Sequence, residues 1–255
     1  MPELPEVETF RRTILTGALG KEITGAEVNG IKTLPESLPE VANGLIGRKI
    51  VGSKRNGKSL FLELDDHKWL LLHFGMSGVP IFYYDQVPRY ARLTITFTEE
   101  CLAICWQRRL GAIALLDNPE SFLISKQRGP DALDIDWDEF HKGLKGKRAI
   151  KTILMDQSFV SGVGNLYADE ILFQNHIRPD RKANLLTEPD KKGLFTSMGE
   201  ILRISIEKKT EFSSFPSEMM LRVRNIKCIC PKCGGKWSIM KVGGRTSYFC
   251  PECQR

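Results

Sequence analysis

Residues 228–255 read CICPKCGGKWSIMKVGGRTSYFCPECQR, and their spacing decides how the end of the chain folds. Cys230, Cys233, Cys250 and Cys253 make a C-x2-C-x16-C-x2-C pattern. Two such knuckles can hold four thiolates at about 2.3 Å from one ion and close a tetrahedral site. The segment has too few apolar residues for a core, so a metal must supply its folding energy. Four cysteine ligands leave no open coordination position, so the single zinc expected here is structural. Between the knuckles, Gly243-Gly244-Arg245 reads as a two-residue turn of a hairpin with Arg245 at its tip. An arginine so placed suits a phosphate, although most exposed arginines are merely solvated. Cys228 could compete for the metal, but the C-P-x-C of residues 230–233 is the better knuckle.

Working outward, residues 138–209 are helical in pattern. The pattern is interrupted at Ser161-Gly162-Val163-Gly164 and at Arg178-Pro179-Asp180. The two glycines permit a tight turn, and Asn165 is expected to N-cap the next helix. Backbone N–H groups at that helix start would favour an anion. A lone G-x-G-N describes a plain interhelical turn equally well. Residues 119–135 read as a linker, and the chain from Phe212 onward is polar and β-like.

Residues 21–116 alternate in short β-type runs: Glu22–Val28, Lys49–Lys54, Ser59–Leu64, Trp69–Phe74, Val79–Tyr84, Arg92–Thr98, Cys101–Trp106 and Ala112–Asp117. Strands at this spacing predict a β-sandwich or barrel. Ahead of them, residues 3–19 predict a helix. Leu4, Val7, Phe10, Ile14, Leu15 and Ala18 fall on one stripe and Gly20 follows as a stop. Pro2 and Pro5 are tolerable only at such a helix start.

The 255 residues suffice for two medium domains, and 42% hydrophobic with 27% charged is an ordinary globular balance. No apolar run approaches the roughly 18 residues of a membrane span. The acidic start is unlike a secretory signal. Seven cysteines, four of them in metal spacing, argue for a reducing compartment, and the expected location is cytoplasmic, at the nucleoid in a prokaryote. Cys101 and Cys105 read as inert core thiols. The net charge of +6 is mild. Placement says more: Lys54, Arg55, Lys58, Arg89, Arg92, Arg108, Arg109, Arg222, Arg224, Lys227 and Lys232 punctuate loops and strand ends, as phosphate neutralisation requires. Without the other motifs these are equally a set of solvated faces.

The first residues, Met1-Pro2-Glu3, add chemistry. Methionine before proline is readily removed, leaving Pro2 with a free secondary amine. An α-amine titrates near 7.7–8.0, against about 10.4 for lysine, so part of it is neutral at pH 7. A neutral amine can attack a sugar C1′ and form an iminium. Glu3 and Glu6 stand close by in sequence to move protons. Acids in a first helical turn also simply complement the helix dipole.

The start Met-Pro-Glu-Leu-Pro-Glu-Val-Glu-Thr, with Val160–Asn165 and the terminal Cys250-Pro251-Glu252-Cys253-Gln254, resembles the formamidopyrimidine-DNA glycosylase (MutM) / endonuclease VIII family. The resemblance runs the whole length in the right order. It implies an α+β chain: an N-terminal β-sandwich with a leading helix, then a helix-two-turn-helix domain with a zinc-ribbon hairpin. The expected domains are 1–125, 126–227 and 228–255, with double-stranded DNA bound in the cleft between the halves by a monomer. At single positions it implies Pro2 as nucleophile, Glu3 as the acid that assists sugar opening, and Glu6 as a supporting acid. It makes Lys58 a phosphate-binding lysine beside the lesion, and Asn165 and Arg245 the two phosphate anchors at the flipped nucleotide. Met76 would fill the void, Arg108 would face the orphaned base, and Arg92 joins the DNA-binding set. Extruding a base leaves a gap that apolar wedges fill, and unstacking costs a few kcal/mol.

The chain departs from the MutM branch at three places. Leu110 stands where a phenylalanine wedge is usual. Pro88–Arg92 lacks a His-x-His pair. The stretch from Thr210 to Lys227 is short where that branch closes a longer loop over 8-oxoguanine. The implied activity is a bifunctional glycosylase and abasic-site lyase for formamidopyrimidines, with 8-oxoguanine in question. The alternatives are an endonuclease VIII-like preference for oxidised pyrimidines, or a damaged-DNA binding protein without chemistry. Retention of Pro2, Glu3 and Lys58 speaks against the last.

Overall fold

The computed structural model describes residues 1–30, 32–33, 38–107, 111–224 and 229–255. The chain divides into two compact units, Met1–Pro2 with Glu6–Lys126, and Glu3–Pro5 with Gln127–Arg255.

The first unit carries most of α1 (Leu4–Ala18). Val7, Ile14 and Ala18 are fully buried and Phe10 and Leu15 pack at the margin, so the predicted stripe is the buried face. Gly20 lies just beyond at φ +77°, a left-handed conformation that glycine adopts without strain. The strands are β1 (Gly25–Val28), β2 (Lys32–Thr33), β3 (Ile50–Asn56), β4 (Ser59–Leu64), β5 (Trp69–His73), β6 (Gly78–Tyr83), β7 (Ala91–Thr96), β8 (Cys101–Trp106) and β9 (Ala112–Leu116). They form two sheets, ordered β1-β7-β8-β6 and β2-β9-β5-β4-β3. Leu60 and Leu62 oppose Leu72 and Leu70 across β4 and β5. These leucines share one core with Leu93, Ile95, Leu102 and Ile104 of the other sheet, which makes the unit a sandwich.

Two helices stand where the sequence pattern gave none. α2 (Leu38–Leu45) buries Val41, Ala42 and Leu45 inside the stretch expected to be all β. α3 (Pro119–Ser125) occupies the start of the expected linker, capped by Asn118, whose side chain accepts from the N–H groups of Glu120 and Ser121. α3 brings Phe122 and Leu123 onto Phe61, Trp69 and Leu71. That explains why β4 and β5 are buried on both faces and read as continuous apolar runs.

The second unit contains α4 (Trp137–Gly143), α5 (Ile150–Leu154), α6 (Asn165–Gln174) and α7 (Glu188–Glu207). Every residue from Tyr167 to Phe173 is buried, so α6 is the central helix. α7 opens with a capping box, Thr187 with Asp190, and proline in its first turn. Residues 212–214 form a single 3-10 turn and α8 (Met220–Val223) follows, so the part expected to be β-like from Phe212 is helical before it becomes strand. β10 (Ser238–Val242) and β11 (Arg245–Phe249) then pair antiparallel, with Val242 opposite Arg245. Gly243 and Gly244 form the predicted two-residue turn at φ +56° and +75°. Among the described residues no helix is long and apolar enough to cross a membrane.

Candidate functional site

The helical unit holds the first group of site residues. Glu3 is 1% exposed. Its carboxylate accepts hydrogen bonds from the backbone N–H groups of Gly164 (2.7 Å), Leu166 (2.9 Å) and Tyr167 (3.3 Å). It caps α6 from far away in sequence. Gly164 is the N-cap residue and Asn165 the first helical residue, which corrects the expected Asn165 cap. The reason is competition: a carboxylate delivered by the chain start satisfies the free N–H groups better than a local amide can. The anion expected at this helix start is therefore the protein's own glutamate. A Cβ on Gly164 would lie 2.3–2.7 Å from the Glu3 carboxylate atoms, so the approach needs glycine there.

Asn165 instead donates from Nδ2 to the Thr246 carbonyl on β11, at 3.1 Å. The sequence-predicted anchors Asn165 and Arg245 thus belong to one assembly, since Arg245 immediately precedes Thr246. The Arg245 side chain is exposed at the tip, and among the described residues it has no ion-pair partner. At the other end of β11, the thiol sulfurs of Cys230, Cys233, Cys250 and Cys253 all lie within 4.8 Å of one another. Cys230 and Cys253 are 3.8 Å apart, and Cys233 and Cys250 3.5 Å. Tetrahedral geometry with metal–sulfur bonds of about 2.3 Å requires sulfur–sulfur separations of about 3.8 Å. The donor set therefore fits a closed four-thiolate metal site.

Sequence reading missed the buried cluster behind the hairpin. Lys151 and Asp169 are both fully buried and 2.6 Å apart. Arg224 reaches the second Asp169 oxygen at 3.0 Å and lies over the Tyr248 ring. Burial pushes the Lys151 ammonium down and the Asp169 carboxyl up. Their mutual attraction opposes both shifts, while the Arg224 charge opposes the rise of Asp169 and adds to the lowering of Lys151. The neighbouring Glu170 accepts from the N–H groups of Leu221 (2.7 Å) and Met220 (3.3 Å), and its burial raises its carboxyl. The available signal was a lysine inside the apolar run Ala149-Ile150-Lys151-Thr152-Ile153-Leu154.

The sandwich unit holds the rest. Pro2 and Glu6 are partly exposed at the start of the chain. Lys58 is half-buried in the two-residue turn that follows β3, where Gly57 takes φ +54°. That turn is braced. Glu8, 7% exposed, takes Arg11 at 2.7 Å, Arg12 at 2.9 Å and Arg55 at 3.2 Å. Arg55 in turn donates to the Gly57 carbonyl at 3.2 Å. Burial would raise the Glu8 carboxyl, but the arginine hydrogen bonds and charges outweigh it and hold it at about 2. Met76 is 42% exposed beyond β5, and Arg92 lies half-buried in β7. Arg108 and Leu110, with Arg109, Lys227 and Cys228, lie outside the described residues.

Residues 1–113 match the model of the formamidopyrimidine-DNA glycosylase N-terminal domain, and residues 128–217 that of the formamidopyrimidine-DNA glycosylase H2TH domain. A formamidopyrimidine-DNA glycosylase of Pelotomaculum thermopropionicum is 35% identical, with 100% of this chain and 99% of that protein covered. A point mutant of the Lactococcus lactis FPG, solved with a Fapy-dG containing DNA, superposes with a TM-score of 0.90 at 31% identity, both chains fully covered. The L. lactis formamidopyrimidine-DNA glycosylase non-covalently bound to DNA containing an abasic site gives 0.88 at 30% identity, with 99% of each chain covered.

Proposed function

We infer the activity from one premise: this chain belongs to the formamidopyrimidine-DNA glycosylase family. It is a base-excision-repair glycosylase with abasic-site lyase activity, and its partner is double-stranded DNA with damaged bases or abasic sites. The observation that carries the chemistry is the seating of Glu3, immediately after Pro2, on the N-terminus of α6. Three backbone donors hold the carboxylate in one orientation, so its position does not depend on a flexible side chain.

On this reading Met1 is removed and the Pro2 nitrogen attacks C1′ of the damaged nucleotide as the C1′–base bond breaks. The base leaves with the bonding electron pair and takes up a proton. The nitrogen loses its proton, its lone pair expels the ring oxygen O4′ as that oxygen takes up a proton, and the open-chain iminium results. Removal of a C2′ proton then expels the 3′ phosphate, and a second elimination the 5′ phosphate. Glu3 serves proton transfer during opening of the sugar, with Glu6 in support. Lys58 takes the phosphate beside the lesion, and Asn165 and Arg245 grip the backbone at the extruded nucleotide. Met76, Arg108 and Leu110 fill the vacated stack, and Arg92 adds a phosphate contact. The metal of the four-cysteine site is zinc, which when bound supplies the folding energy of the hairpin and no catalysis.

Borohydride trapping tests the central step. Processed protein incubated with abasic-site DNA should give a covalent adduct that peptide mass mapping places on Pro2. Protein that retains Met1 has an amide nitrogen at Pro2 and should give none. An adduct on Lys58 or another lysine would refute the assignment.

A further inference from the structure

We propose that Lys151 is the positioning residue of the phosphate grip: its buried ammonium fixes the Thr246 carbonyl that orients Asn165 and sets the strand presenting Arg245. This rests on the reading of Asn165 and Arg245 as the backbone anchors. Lysine is almost never fully buried unless paired, and the mechanism uses no charge at this point. An ammonium has three donors. Lys151 directs all three at defined acceptors: Asp169 Oδ1 at 2.6 Å, Ser247 Oγ at 2.7 Å and the Thr246 carbonyl at 3.3 Å. That same carbonyl accepts from Asn165 Nδ2 at 3.1 Å, so both of its lone pairs are used. Asp169 completes the clamp by accepting the Tyr248 N–H at 3.2 Å through its other oxygen. Three successive residues of β11, Thr246 to Tyr248, are thus fastened to α5 and α6.

Zinc cannot do this work. Cys250, just past the end of β11, is five residues from Arg245, about 16 Å at strand rise. A two-stranded hairpin is at best marginal over such a length. Between the metal and the tip, the buried Lys151–Asp169 pair clamps the strand, with Asn165 and Arg224 beside it. It also ties both anchors to one carbonyl, so a shift of the hairpin would move Asn165 and Arg245 together.

A double-mutant cycle on the processed, zinc-loaded protein tests this, using a duplex with one abasic site. Readouts are the dissociation constant, the single-turnover cleavage rate at saturating enzyme, and the bound zinc. Lys151→Met should keep its zinc and weaken binding on the order of ten-fold, as Arg245→Ala does, with the saturated rate unchanged. The double variant should bind more weakly than Arg245→Ala alone, through the disturbed Asn165, but by less than the product of the two single losses. Unchanged binding in Lys151→Met, or additive losses in the double variant, would overturn the proposal. Should Lys151→Met fail to fold, Ser247→Ala removes one of the three acceptors more gently. Its loss should likewise shrink in the Arg245→Ala background, and full additivity there overturns the proposal too. If Arg245→Ala alone binds normally, the anchor reading itself is wrong, and the positioning role falls with it.

Discussion

On the proposed mechanism Glu3 combines two duties that pull on the same atoms. As a cap it must be an acceptor at both oxygens, and as a proton-transfer group it must face the reacting sugar. Glu3→Gln keeps the shape but turns one of the two acceptors into a donor facing N–H groups. Excision should fall by about 10² to 10⁴ while DNA affinity changes little. Gly164→Ala should reproduce that loss through sterics, because the added methyl occupies the carboxylate's place. Single-turnover excision beside binding titration measures both, and equal loss of affinity and rate would count against the assigned role. Glu8 makes a different prediction. Its carboxyl lies at about 2 in the fold against 4.5 in a free chain, so its stabilisation is complete above 4.5 and disappears as pH falls through 2. The shift corresponds to at most about 3 kcal/mol. In denaturant melts, the gap between wild type and Glu8→Gln should be widest near neutrality and close toward pH 2. A gap independent of pH would show that Glu8 acts by packing alone. Pro2 and Glu3 could be picked out of the sequence, but the partner of Glu3 could not: Gly164 is 161 residues away, and no local pattern signals so distant a cap.

Elements were legible in proportion to how local their causes are. β4 and β8 have the boundaries that their apolar runs predict, and the hairpin turn follows from two adjacent glycines. α2 was hidden because its residues sit in a stretch otherwise punctuated like strands. The helical spacing of Val41, Ala42 and Leu45 was too short a signal to stand out. The burial of Lys151 was hidden because charge in a core is set by tertiary partners. The ribbon yields the element-scale prediction. Chelation, or Cys250→Ser, should unfold β10 and β11 and abolish DNA binding while far-UV circular dichroism retains the helical signal of α6 and α7. Arg245→Ala in metal-loaded protein should weaken binding equally on all sequences and reduce the salt slope by about 0.9, one phosphate. Normal lesion binding by metal-free protein would remove the hairpin from the interface.

At the scale of the whole molecule, the open matter is which lesion the scaffold favours. The alignment with the P. thermopropionicum relative runs over 275 positions against 255 residues here, so the relative carries residues that this chain lacks. From the end of α7 into α8 the chain is compact: Phe215 and Met219 of the connection and Met220 and Leu221 of α8 are all buried. We expect efficient processing of formamidopyrimidines and abasic sites and weaker excision of 8-oxoguanine. The Arg108 guanidinium offers only donors and should favour cytosine opposite the lesion. A panel of duplexes decides it: 8-oxoguanine, formamidopyrimidine-guanine, thymine glycol, 5-hydroxyuracil and a plain abasic site, each opposite the four bases. Efficient 8-oxoguanine removal would show that a longer segment is dispensable. A preference for thymine glycol, indifferent to the opposite base, would take the discriminating role from Arg108.

The anchoring of Glu3 to residues 164–167 also imposes an order in time. Glu3 has no cap to hold until the ribosome has delivered α6. At about 5–20 residues per second, that takes roughly ten to thirty seconds. Throughout this interval Met1 and Pro2 lack the Glu3 tether, and on the proposed mechanism this is when an aminopeptidase takes Met1. Once α6 emerges and takes hold of Glu3, the neighbouring backbone is fixed and the opportunity narrows. With Pro2 as the proposed nucleophile, its maturation is thereby tied to translation speed, with trimming favoured early and seating enforced late.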